Sequence, residues 1–312
     1  MIARLAILLA SLCASLLGAE LGLRLFYARS DGFAQTRSAQ RWFARHWGPL
    51  NRFGYRDPEY DLERLASTRR LFVLGDSFAA GHGIEDRADR FADRLAARLG
   101  PGWSLVVMAD LGWQTGDELE ALRRFPLRPS LLVLAYTPND IEDAAARVGL
   151  RFDFELGRAP PGLAWLVEGS DLANLAWWRW VRFGQRPKLE RYWSFVREAS
   201  GNPRVWEIHA AEILALAKAA REPSAPLLAV IFPNLLDLEG SRPLTARVAD
   251  LLRGAGASVL DLGEELGGRD PRGLIVNPLD PHPSAALHAE VAELLYARIA
   301  AGIGTPAAAG IP

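Results

Sequence analysis

The chain has 312 residues, half of them hydrophobic, and a formal net charge of −1. That is enough apolar material for one full core or two, and neither sign of charge is in the excess that a nucleic-acid-binding surface needs, so no nucleic-acid partner is expected. A single cysteine, Cys13, excludes an intramolecular disulfide framework and a cysteine-based metal site.

The chain opens on MIARLAILLASLCASLLGAELGLRLFY. Arg4 precedes an apolar run from Leu5 to Ala19; Glu20 interrupts it, Leu21 to Leu23 resume it, and Arg24 follows. The run predicts residues 1–27 as a single-pass signal-anchor in a bacterial inner membrane, with Arg4 on the cytoplasmic side and the body in the periplasm. Arg24 and Arg29 oppose that orientation. The alternative is a signal peptide cleaved after Leu17-Gly18-Ala19, which would leave a secreted body. Cys13 lacks a lipobox, because Leu12 stands where a small residue is needed. Residues 28–68 read as an irregular connecting segment, with turn formers at Gly54 and Asp57-Pro58.

From residue 69 to 302 the pattern alternates. Apolar runs at 71–74, 104–108, 131–136, 227–232 and 258–260 predict strands. Helical spacing predicts helices at 91–99, 116–124, 207–220, 244–252 and 285–299. Continuous apolar strands separated by helices imply a parallel sheet covered on both faces, which binds ligands at the carboxyl ends of its strands. One stretch, residues 144–205, delays the next strand, and six of the ten tryptophans lie between Trp165 and Trp206. It reads as a helical insertion, with three uses open to it: a cap with core aromatics, a substrate lid, or a membrane-surface contact. The tail, 303–312, reads as flexible.

The chemistry-bearing residues fall at strand ends. The run Leu71 to Leu74 stops at Gly75-Asp76-Ser77. A serine on that turn presents its hydroxyl at the rim of the sheet, Gly75 permits the close turn, and Asp76 can bond neighbouring amides. After the second strand comes ADLGWQTGDE, where Gly112 lets a backbone N–H approach a ligand. After the third comes TPND, where Asn139 offers an amide. Ahead of the last helix comes NPLDPHPSAALH, with Asp280 two residues before His282. A serine, two N–H donors and an Asp–His pair make a nucleophile, an oxyanion hole and a base. Imidazole titrates near neutral pH, which suits the base. His288, with Asp280, would need a third ligand to hold a metal, so it reads as a surface or packing residue; no metal or cofactor is expected. His82 reads as a rim residue, Asp140 as a structural hydrogen-bonder, and Arg56 as a residue within reach of the site. His46 and His209 have no partner in view.

These blocks, GDSF with Ser77, DLGWQT with Gly112, TPND with Asn139 and DPHPSAALH with Asp280 and His282, resemble those of the SGNH (GDSL-type) hydrolases in order and spacing, over roughly residues 70–300. The resemblance implies a flavodoxin-like three-layer α/β/α sandwich with strand order 2-1-3-4-5. It implies Ser77 as nucleophile, His282 as base and Asp280 as the acid that orients it. The oxyanion donors it implies are the N–H groups of Ser77 and Gly112 and the side chain of Asn139. Thr137 stands where the family has glycine. The D-x-H spacing is similar to that of membrane-linked members, including alginate O-acetylating enzymes, although there it precedes the serine block. Three function classes follow: an exported serine ester hydrolase acting on acyl esters of envelope glycans or lipids, an O-acyltransferase modifying an envelope polysaccharide, and a non-catalytic glycan- or lipid-binding module.

Overall fold

The structure is a computed structural model that describes residues 1–153, 157–221 and 225–302, without the side chains of residues 185–187 and 189. The expected flexible tail lies outside the described residues. In chain order, α1 (Ile2–Phe26), α2 (Arg37–His46) and α3 (Leu62–Ser67) come before the sheet. Then follow β1 (Arg69–Gly75), α4 (Ser77–Ala80), α5 (Phe91–Leu99), β2 (Trp103–Ala109), α6 (Thr115–Arg124) and β3 (Leu131–Tyr136). Four helices lead to the next strand: α7 (Glu142–Arg147), α8 (Pro161–Gly169), α9 (Asp171–Gly201) and α10 (Pro203–Arg221). The chain continues through β4 (Leu227–Ile231), α11 (Leu238–Gly254), β5 (Ser258–Asp261), α12 (Leu262–Glu265), β6 (Ile275–Asn277), β7 (Asp280–Pro283) and α13 (Ala285–Ala300).

Five strands form one parallel sheet in the order β2-β1-β3-β4-β5. The fold is therefore the three-layer flavodoxin-like sandwich, with β3 at the centre and β1 between β2 and β3. Alternation along the strands explains the layers. Leu71 and Val73 of β1 face the cluster built with Phe91 and Leu95 of α5 and Val291 and Leu295 of α13. Phe72 and Leu74 face the opposite cluster, with Leu122 of α6, Leu216 of α10 and Val248 of α11. Both faces are covered, so both sets of side chains are apolar and the strands read as unbroken hydrophobic runs.

Two parts differ from the sequence reading. Residues 28–68 are not merely irregular. They carry α2, capped by Thr36, and α3, capped by Asp61, and they bury Trp42, Arg56 and Tyr60 against the body. Short amphipathic helices with few apolar positions leave a weak periodic signal. The antiparallel hairpin β6–β7 leaves no pattern in the sequence either, because its strands are three and four residues long. A smaller difference is α11, which begins six residues earlier than expected, at Leu238, where the Asp237 side chain accepts from Gly240 N–H and Pro243 is accommodated inside the helix.

α1 has no buried residue and is long and apolar enough to cross a membrane. Its last turns are fastened to the body. The Glu20 carboxylate accepts from the N–H groups of Asp171 and Leu172, both at 2.9 Å, and from Ser170 Oγ at 2.8 Å. The glutamate that interrupts the apolar run is thus a cap for the 31-residue helix α9.

Candidate active site

The sheet's carboxyl edge assembles the site. β1 ends at Gly75, where a Cβ would stand 2.7 Å from Ala79 Cβ and 3.0 Å from Ala135 O, so only glycine lets α4 fold this closely over β3. Asp76 caps α4 by accepting from Phe78 N–H at 2.8 Å. Ser77, the first residue of α4, is 9% exposed at the floor of a cavity of about 310 Å³. On β7, residues two apart project to the same side. This is why the D-x-H spacing works: His282 Nδ1 lies 2.5 Å from Asp280 Oδ1 and His282 Nε2 lies 2.9 Å from Ser77 Oγ. With Nδ1–H donating to the carboxylate, Nε2 is left to accept the serine proton. Burial alone would raise the Asp280 carboxyl. The charge and hydrogen bond of His282 outweigh it, helped by His82 and Ser30, and hold the carboxyl well below the usual range.

The donors expected from the sequence are placed differently from one another. Asn139 lines the cavity, its amide 3.4 Å from Asp76 Oδ2. Gly112 is exposed on the β2–α6 loop, where its φ of +70° explains the glycine, and it is not among the cavity-lining residues. Thr137 keeps an ordinary extended backbone (φ −129°, ψ 152°), and its hydroxyl donates to Asp76 Oδ2 at 3.0 Å. The threonine thus adds a hydrogen bond that glycine lacks. Asp140 is structural, as expected: it accepts from Thr137 N–H at 3.2 Å and is buried.

Several partners of the site come from outside the four motif blocks. Ser30, in the connecting segment, donates to Asp280 Oδ2, and its carbonyl accepts from Asn277 Nδ2 at 3.1 Å. His82 is not a rim residue. It is 3% exposed and its ring stacks on His282, with centroids 4.1 Å apart and planes at 24°. Trp42 stacks on its other side at 5.8 Å, with Phe43 and Trp47 around the edge. Burial first, and then the His282 charge, push the His82 imidazole down to about 3, so it is neutral at working pH. His82, Asp280 and His282 do bring three potential ligand atoms within 4.8 Å of one another. Both His282 nitrogens are already engaged by Asp280 and Ser77. Arg56 does not line the cavity; it clamps the loop after α4, donating to Gly81 O and Ile84 O, each at 2.6 Å. A pattern of spacing carries no signal for these contacts, since Ser30 and Asp280 lie 250 residues apart.

The remaining histidines serve packing. His288 is buried, accepts from Phe91 N–H at 3.1 Å through Nδ1 and is pushed down to about 3 by burial. His209 Nε2 lies 3.1 Å from Tyr136 Oη. The insertion's aromatics divide: none of its five tryptophans is fully buried, Tyr192 and Trp193 pack against the core and line the cavity, and Trp165 and Trp180 are 71% and 66% exposed. A wider groove of about 590 Å³ lies at the amino end of β2, around Tyr60 and Trp103, and holds none of these groups.

No family model matches the chain, and no curated protein matches it. Solved structures do. A lipase, Lip_vut3, from a goat rumen metagenome is 16% identical, with 76% of this chain and 99% of that chain covered and a TM-score of 0.47. TesA is 18% identical, with 74% and 98% covered and a TM-score of 0.46. A carbohydrate acetylesterase family member from Sinorhizobium meliloti is 16% identical, with 75% and 100% covered and a TM-score of 0.41. At such identities and TM-scores these likenesses carry no weight on activity. The chain's own strand order and its four motif blocks at the sheet's carboxyl edge are what resemble the SGNH hydrolases.

Proposed function

We propose that the protein is an exported serine ester hydrolase that forms an acyl-enzyme on Ser77 and acts on acyl esters of envelope glycans or lipids. The observation that carries this reading is the unbroken relay from Ser77 Oγ through His282 to Asp280, at 2.9 and 2.5 Å, on the floor of a cavity. His282 takes the Ser77 proton as Oγ attacks the ester carbonyl. Asp280, held ionised, stabilises the imidazolium that results. The Asn139 amide faces the charge that develops on the carbonyl oxygen. The imidazolium then protonates the leaving alcohol, and water, activated in turn by His282, releases the acid. Phe33, Tyr192 and Trp193 give the cavity an apolar side suited to an acyl group or a sugar ring.

The export reading rests on α1. A cut after Ala19 would make Glu20, whose carboxylate caps α9, the new N-terminal residue and leave the turn that carries Glu20 and Arg24 as a free chain end, so α1 is proposed as a retained anchor. Purified full-length protein assayed on short- and long-chain esters and acetylated glycans should hydrolyse at least one class, and Ser77→Ala should abolish that turnover with the fold unchanged by circular dichroism. Turnover retained in Ser77→Ala would remove the proposal. The chain should stay in the membrane pellet after a carbonate wash.

A further inference from the structure

We infer that α8 is a bilayer-docking element: its exposed apolar surface, Leu163, Trp165 and Leu166, sits among the lipid headgroups of the membrane that α1 spans. The inference rests on the anchor reading of α1 proposed above. α8, with the sequence PGLAWLVEG, is apolar nearly all round, yet only Val167 of it is buried. Leu163, Trp165 and Leu166 are 47%, 71% and 38% exposed. A helix of this composition belongs in a protein core or in lipid, and the body of this protein does not cover it.

The occupant follows from where α8 is fastened. Its C-terminal carbonyl, Gly169 O, accepts from Arg24 at 3.2 Å, and the next three residues are held by Glu20. Arg24 also pairs with Glu20 at 3.0 Å and with Asp171 at 3.4 Å. From Ile2 to Ala19, α1 is about 27 Å long, close to the roughly 30 Å hydrocarbon core. Glu20 and Arg24 therefore lie where the helix leaves the core. Trp165 is four residues from Gly169, about 6 Å along the helix axis, so whichever way α8 points it stays within the headgroup region. Tryptophan is favoured at that depth. The same geometry sets the height of the active site: Ser30, bonded to Asp280, is four residues beyond Phe26, at most about 14 Å of extended chain. The cavity is thus held close to the membrane surface.

The test uses the full-length chain in phosphatidylcholine–phosphatidylglycerol vesicles, with and without acyl-brominated phosphatidylcholine. α1 contains no tryptophan, so any bromine quenching of indole emission reports the body. Wild type should be quenched, and Trp165→Phe should lose about half or more of the quenching amplitude, as the most exposed tryptophan at the interface depth. Trp103→Phe, at the far end of the sheet, should change nothing. All three should remain in the pellet after carbonate extraction. Absence of quenching in carbonate-resistant wild type, or equal loss in Trp103→Phe and Trp165→Phe, would overturn the docking while leaving the anchor. Release by carbonate would overturn both. Quenching that appears only on dilution of the protein within the bilayer would assign the face to a second copy instead, and the inference would fall.

Discussion

The stack of His82 on His282 makes a demand that can be measured. The imidazole of a general base must hold one rotamer between its acid and its nucleophile. Here one face of the ring is covered by His82, itself stacked on Trp42, and Phe78 makes a T-shaped contact with it. An aromatic pair of this kind is worth about 0.5–1.5 kcal/mol beyond the area it buries. If His82→Ala releases that much restraint, the productive orientation loses a factor of about 2 to 13, and kcat should fall by that amount with KM nearly unchanged. The cavity left behind should also lower unfolding stability, by about 2–4 kcal/mol. His82→Phe keeps an aromatic face against His282 and should recover most of kcat. Because His82 is neutral at working pH, neither variant should move the pH profile of kcat/KM. Steady-state kinetics on a short-chain ester from about pH 5 to about pH 9, with urea melts on the same samples, give all four quantities. Wild-type kcat in His82→Ala, or a phenylalanine variant as slow as the alanine one, would refute the positioning role.

Ser30→Ala removes one hydrogen bond to an ionised carboxylate, so it should destabilise the fold by about 1.5–3 kcal/mol in denaturant melts and slow turnover; wild-type values in both would show the contact to be idle. Asn139→Ala should lower kcat by roughly 10²–10³ with little change in KM, because the amide acts on charge present only in the transition state; a pure KM effect would give Asn139 a ground-state role instead. Glu118 is fully buried, and burial, followed by the charges of Asp76 and Asp117, raises its carboxyl well above 4.5. The folded state therefore keeps a proton that the unfolded chain releases above about pH 4.5, and the stability tied to it falls as pH rises through that window. Glu118→Gln lacks the titration, so as pH rises above about 4.5 its advantage over wild type should grow, by up to ~1.4 kcal/mol per pH unit in urea melts; parallel pH dependences would count against it.

The sheet was legible because its strands are buried on both faces and its helices are amphipathic, so Leu71–Leu74 and Leu131–Tyr136 announce themselves by composition alone. Ser77 and Asn139 were legible because they follow such strands, where a parallel sheet exposes side chains, and His282 because it stands just ahead of the last helix. The residues around them were not. Ser30 and His82 reach the triad through tertiary contacts that no local pattern encodes, and the segment carrying Ser30 and Trp42 reads as a linker because its helices are short. His82, flanked by glycines, resembles a loop residue; only the aromatic shell of Trp42, Phe43 and Trp47 makes it a buried one. Glu20 reads as a flaw in an apolar helix, whereas its carboxylate caps another helix 150 residues away.

The central claim is that Ser77 is the nucleophile of a serine ester hydrolase, and a covalent probe tests it most directly. Full-length protein treated with a fluorophosphonate should gain one adduct by intact mass, peptide mapping should place it on the Ser77 side chain, and His282→Ala should label far more slowly. An adduct on another residue, or undiminished labelling of Ser77→Ala, would contradict the account.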